Sequence, residues 1–395
     1  MQKKLIALAI AAISAAPAFA QSNVTIYGRV DYGYMSRGGD DGAVSTKGTK
    51  TEMASGMQAG SRIGFKGSED LGNGLKAIFE VETGITNDAP GTVAGQSGLF
   101  TSNRHAYVGL SSDKWGTVVG GRLDGVRYGI YNAYDAFAGG GMGNFTQMTG
   151  QVDRADNAIA WISPKFGGGF TVVLAHSRDI GGQEVAGSQT ITGVAPAAAT
   201  AIKANTSDGL LYTINGKYAN GPISLDLDYE TVRPEHKGAL AANGGAGAGT
   251  TVVWTVAGSY DFGMVKVRAL YDHHDTDAAG FAKTATVHQL TDYDAWFISA
   301  SVPYGNFLFK GTYGQINDDR SLAEKGGLGA AVIQGDATKW GLGMNYNLSK
   351  RTNVYLDYGQ INNDNRANYT ISPAANAQMA GYGTSGWNMG LAHNF

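Results

Sequence analysis

The 395-residue chain has no cysteine, only 8 prolines and few charges, with 16% of residues Asp, Glu, Lys or Arg. Without thiols there is neither a disulfide framework nor a thiolate metal site. Scarce proline and glycines without a three-residue period exclude a collagen-like chain. Lys+Arg 30 against Asp+Glu 33 leaves a formal charge of −3. That balance carries no electrostatic footprint for nucleic acid. Beyond residue 20, no apolar stretch reaches the roughly 18 residues that a membrane helix requires. Glycine, by contrast, is abundant: 59 residues, about 15% of the chain and roughly twice the usual share. There are also 20 Tyr, and 43% of residues are hydrophobic, enough to bury surface and avoid disorder.

Residues 1–20, MQKKLIALAIAAISAAPAFA, read as a secretory signal peptide. Lys3 and Lys4 form the basic start, Leu5 to Ala16 the apolar run, and Ala18-Phe19-Ala20 the small-x-small cleavage site. The mature chain, 21–395, is therefore expected to begin at Gln21 and to be exported.

From Val24 the chain alternates. Val24, Ile26, Gly28, Val30, Tyr32 and Tyr34 fall on one face, with Thr25, Tyr27, Arg29 and Asp31 on the other. A period of two marks a strand with one apolar face. The same pattern recurs at Leu75 to Glu82, Ile223 to Glu230, Val265 to Asp272 and Trp340 to Asn347. Tight connections fall near 70–73, 113–115, 165–169, 220–222, 261–263, 303–306 and 348–351. Between them lie long polar segments near 36–59, 85–102, 124–156, 179–207, 233–250, 274–290, 318–336 and 363–384. Seven short turns and eight long loops predict sixteen strands. Short turns on one rim and long loops on the other describe a transmembrane β-barrel. Trp115, Phe166, Phe170, Tyr218, Tyr260, Phe262, Tyr304, Phe307, Tyr346 and Phe395 all flank the short turns, as an interfacial aromatic belt would. The even strand count places both termini on the short-turn side. The fold class expected is all-β, a 16-stranded antiparallel barrel.

Particular segments resemble the trimeric general porins of β-proteobacteria: NVTIYGRVDYGY at 23–34, SRIGFKGSEDLGNGLKA at 61–77, RHAYVGL at 104–110, Trp115 to Arg122, RADNAIAWISP at 154–164 and the closing GLAHNF. Trp161 departs from the family's more frequent Tyr. The resemblance implies an outer-membrane, water-filled diffusion channel for ions and small hydrophilic solutes. It implies a homotrimer among lipid and lipopolysaccharide, with the second loop (85–102) latching over a neighbour. It implies a third loop, 124–156, folded into the lumen, and a terminal Phe395 read by the outer-membrane assembly machinery; the alternative for Phe395 is a simple rim anchor. No cofactor is implied.

With apolar faces toward lipid, Arg29, Asp31, Arg62, Lys66, Lys76, Glu80 and Arg122 are expected to line the lumen. Asp124 and Asp135, with Asp153 or Asp156, are expected to face those cations from the third loop. Opposed charges across a narrow aqueous gap create a field that steers ions; ordinary wall salt bridges are the alternative. The run Asp272-His273-His274-Asp275-Thr276-Asp277 offers metal donors, but its place at the start of a polar loop accounts for it, and no metal site is expected. Nothing pairs a nucleophile with a base. A diffusion channel is therefore the first reading, and an adhesin or enzyme on a barrel scaffold the second.

Overall fold

The computed structural model describes residues 23–39, 48–88, 91–93, 96–98, 100–149, 152–178, 180, 209–234, 250–276, 292–319, 335–364, 367, 369–373 and 382–395. The leader expected at 1–20 and most of the loops near 179–207, 233–250, 274–290 and 318–336 lie outside them.

The strands are β1 (Asn23–Gly38), β2 (Lys50–Ser55), β3 (Arg62–Gly72), β4 (Leu75–Ile85), β5 (Gly91–Val93), β6 (Gln96–Gly98), β7 (Phe100–Ser112), β8 (Gly116–Asp124), β9 (Arg154–Ile162), β10 (Phe170–Arg178), β11 (Gly209–Asn220) and β12 (Ile223–Pro234). They continue with β13 (Thr251–Asp261), β14 (Lys266–Thr276), β15 (Tyr293–Tyr304), β16 (Phe307–Asp318), β17 (Ala337–Asn347), β18 (Thr352–Asn363) and β19 (Ser385–Asn394). One helix, α1 (Val126–Tyr134), and a 3-10 turn (Thr146–Met148) lie between β8 and β9.

Each wall strand pairs antiparallel with the next, and β19 returns to β1, closing the sheet. β2 and β3 both pair with β1, β2 beside its loop end and β3 beside its turn end, so together they fill one place in the wall. The wall is thus a closed barrel of sixteen antiparallel strands, as the turn-and-loop rhythm predicts. Closure gives every strand edge a hydrogen-bonding partner, which a lipid surround demands. β5 and β6 form a separate hairpin within the second loop.

The alternation has the expected sense. Leu225, Leu227 and Tyr229 are exposed on the outside of β12, whereas Asp226, Asp228 and Glu230 between them are buried. Val24 and Ile26, each 59% exposed, mark the same outer face on β1. A sheet facing water on both sides would not place leucines outward and carboxylates inward; one facing lipid does.

The first loop is shorter than its polar composition predicts. The chain re-enters the sheet at Lys50 rather than near residue 60 and breaks out again at 56–61. The Asp31 carboxylate causes the break. It accepts the Gln58 and Ala59 amides at 2.7 and 2.9 Å, drawing them out of the ladder toward the interior. Gly56, at φ +75°, makes the turn and donates its amide to Asp31 O at 2.8 Å.

Candidate functional site

The interior is asymmetric. On one side, side chains of 126–148 form a buried apolar cluster with the inner face of β13 to β19. Ile130, Tyr131, Tyr134, Met142 and Phe145 meet Phe297, Ile316 and Tyr355, and Tyr369 and Ile371 join from the segment before β19. The cluster is clamped by charge. The Arg127 guanidinium lies 2.5 Å from Asp272 and 3.5 Å from Glu230, and all three side chains are almost fully buried. Tyr131 Oη donates to Asp272 at 2.8 Å, and Tyr134 Oη to Asp226 at 2.6 Å. Burial alone would lower the Arg127 pKa, but Asp272 and Glu230 outweigh it and hold the group firmly charged. The segment preceding β19 adds further bonds: Gln147 Nε2 donates to Thr370 O, and the Ser372 amide donates to Gln147 Oε1.

On the other side stands a wall of arginines. Arg29 and Arg62 are direct register partners on β1 and β3. Like charges opposite one another destabilise a sheet, so such a pair marks a place shaped by something other than stability. Arg62 Nε lies 3.3 Å from Glu82, and Arg104 bonds the same carboxylate. Arg29 bonds Gln58. Next to them Asp124 receives His105 Nδ1 at 3.1 Å and Arg154 Nε at 3.0 Å. The Arg154 guanidinium lies over the Tyr128 ring of α1, 5.5 Å from its centroid, so α1 and the arginine wall meet here. Glu80 accepts Tyr27 Oη at 2.6 Å and Tyr107 Oη at 2.7 Å below them.

The expected site residues distribute unevenly on this frame. Arg29, Arg62 and Asp124 come together. Lys66 and Lys76 do not: Lys66 pairs with Glu80 and lies over the Tyr27 ring, four residues or roughly 13 Å toward the turns. Lys76 pairs with Asp70 beside the turn itself. Arg122 leaves the lumen row. Its ladder partner is Ala106, on the face of exposed Val108 and Leu110, and its guanidinium bonds Asp156 and the Arg104 carbonyl. Arg122 leaves the row because the inward positions of β8 run through Val119 and Gly121 up to a register shift between Gly121 and Leu123, beyond which Asp124 meets Arg154.

Asp135 does not face the cations across a gap either. It is buried and accepts the Phe137 and Phe145 amides, both at 2.8 Å, so it staples its own loop. Burial pushes its carboxyl upward, and the two amides and the Lys339 and Lys310 ammoniums offset part of that rise. The residues that sequence reasoning missed, Glu82, Arg104, His105 and Arg154, are assembled by register. Arg104 enters through a shift in the β4–β7 ladder between Val81 and Thr83 that no composition signal announces.

A closed sixteen-strand wall with lipid-facing leucines and a charged inner face describes a channel. Residues 7–366 match the family model described as Gram-negative porin. The chain belongs to that family. It is 29% identical to an outer membrane porin protein of Bordetella pertussis, over 91% of this chain and 94% of that one. It is also 29% identical to outer membrane porin protein 32 of Delftia acidovorans, over the whole of both. Among solved structures, the anion-selective porin from Comamonas acidovorans superposes with a TM-score of 0.66, at 25% identity, over 95% of this chain and all of that one. This porin is accordingly an outer-membrane protein forming a passive diffusion channel for ions and small hydrophilic solutes.

Proposed function

We propose that residues 125–149 fold into the lumen and set the narrowest section of this porin against Arg29, Arg62, Arg104 and Arg154, giving a channel that prefers anions. The observation carrying this reading is the one-sided charge of the gap. The least buried positions of the segment past Gly125 are Gly129, Ala133 and Ala138, with Tyr128 and Asn132 beside them; none is acidic. Four guanidinium groups face them, against the three carboxylates of Glu82, Asp124 and Asp31, the last 4.0 Å from Arg29. Their potentials add across the gap. The similar Comamonas protein, an anion-selective porin, agrees with this preference.

The decisive measurement is reversal potential across a salt gradient. Arg62→Ser with Arg104→Ser leaves Glu82 without its cations and shifts the value toward cation preference. Arg122→Ser, on the outer alternation, leaves it unchanged. A shift from Arg122→Ser alone, or none from the double variant, overturns the assignment.

The same reading takes the protein as a homotrimer in lipid and lipopolysaccharide, cleaved after Ala20, with Phe395 addressed to the assembly machinery. It takes the protein to lack enzymatic activity. Of the histidine–carboxylate pairs brought together inside, His274 and Asp272 at 2.8 Å are buried and committed to Arg127 and Tyr293, and His105 is held between Asp124 and Glu80.

A further inference from the structure

Strand alternation divides the run Asp272-His273-His274. Asp272 and His274 face inward and bond Arg127, whereas His273 belongs to the outer row, its ring 5.5 Å from that of Trp254. His273 stands directly opposite Asp294 in the β14–β15 ladder, and its Nδ1 lies 2.7 Å from Asp294 Oδ1. Asp294 in turn faces Asn317 of β16. Asp319, two residues further along that row, brings a second carboxylate to the same spot. Its backbone is fixed there by a 3.0 Å bond from its amide to Asp292 O. One ligand atom from each of His273, Asp294 and Asp319 lies within 4.8 Å of the other two. No other trio of His, Asp or Glu side chains among the described residues does this.

Three features separate this trio from an ordinary polar rim. Two of its donors stand in wall strands, β14 and β15, and the third, Asp319, is the residue just past the end of β16, tied to the wall by its amide bond to Asp292 O. Two like-charged carboxylates are held together with only one imidazole between them, an arrangement that a divalent cation relieves. Tyr271 Oη donates to Asp294 Oδ1 at 2.7 Å, which orients the carboxylate from behind as outer-shell donors do at metal sites.

We propose that His273, Asp294 and Asp319 bind one divalent transition ion at the external rim, on the outer face of the barrel. One imidazole and two carboxylates suit Zn²⁺ and its first-row neighbours, whereas Ca²⁺ takes oxygen-only shells of about six to eight ligands. With three protein ligands the ion keeps a position open to water. The site stands outside the pore, so it does not depend on which residues line the eyelet.

The test is calorimetric titration of chelator-treated, full-length protein in detergent with ZnCl₂, backed by metal analysis. Wild type should saturate at one zinc per protomer and keep it in tenfold excess Ca²⁺. His273→Ala and Asp294→Asn should each lose that ion. Tyr271→Phe should weaken it about tenfold, and His393→Ala, at the opposite rim, should leave it intact. Single-channel conductance, which this outer-face site does not touch, reports that each variant is folded. No zinc uptake by wild type, full stoichiometry in folded His273→Ala, or displacement by equimolar Ca²⁺ overturns the proposal.

Discussion

Arg127 shows how much one residue holds. Its guanidinium is almost fully buried among Asp272, Glu230, Thr255 and His274, and with Tyr131 it pins α1 to the wall. Removing one member of a buried ion cluster costs about 3–5 kcal/mol, because the partner charges stay desolvated and unpaired. Arg127→Leu should therefore release the segment. Single-channel recordings should show higher and noisier conductance, and protease should cut between residues 125 and 149. Arg127→Lys should rescue only partly, since one ammonium cannot span the donors' partners as a planar fork does. Wild-type conductance in Arg127→Leu would mean that the apolar cluster alone docks the helix. This anchor was not legible in the sequence. Arg127 lies 145 positions from Asp272, and only the joint register of β12, β13 and β14 brings Glu230, Thr255 and Asp272 to one place. The arginine wall was half legible: the sequence pattern placed Arg29 and Arg62 inward, but the charge at Arg122 was read inward too, and Arg104, whose inward turn follows a ladder shift, was missed.

At the scale of elements, the strands were the most legible feature, because lipid outside and water inside impose a strict period of two. The lapse at β2 has a physical cause. Lys50-Thr51-Glu52-Met53-Ala54-Ser55 is short and mostly polar, and the Asp31 carboxylate ends it by capturing the amides beyond. The segment 125–149 depends instead on close backbone approach. A Cβ added at Gly341 on β17 would overlap the Gly143 backbone, and one at Gly359 on β18 would overlap Met142 O. Gly341→Leu should therefore push the segment off the wall, raising open-channel noise and lowering thermal stability by several degrees. Gly216→Ala on β11, where a Cβ meets nothing within 4 Å, should change neither. Equal behaviour of the two variants would show that the segment does not rest on β17.

For the whole molecule, the decisive contact is the one that closes it. The last residue completes the ladder: the Phe395 amide donates to Gly28 O and the Gly28 amide to Phe395 O, both at 3.1 Å. The Phe395 ring covers Gly28 so closely that any side chain there would overlap it. The ring is nonetheless 43% exposed at the turn rim, beside the aromatics that end the other strands. Two roles follow from this position, and they separate by where folding takes place. As a rim anchor, Phe395 contributes contact area and two hydrogen bonds beside the ten register pairs of β1 and β19, so its deletion would lower stability modestly in any environment. As an assembly signal, it matters only while the chain is carried to the membrane. We expect deletion of Phe395 to leave refolding of the purified chain in detergent nearly unchanged, with wild-type conductance. In cells it should cut the amount of barrel in the outer membrane severalfold, with the shortfall recovered as degraded chain. Extraction and heat-shifted gel mobility measure the second quantity, and refolding yield the first. A parallel loss in both would make Phe395 a structural anchor, and a loss in neither would assign closure to the β1–β19 ladder alone.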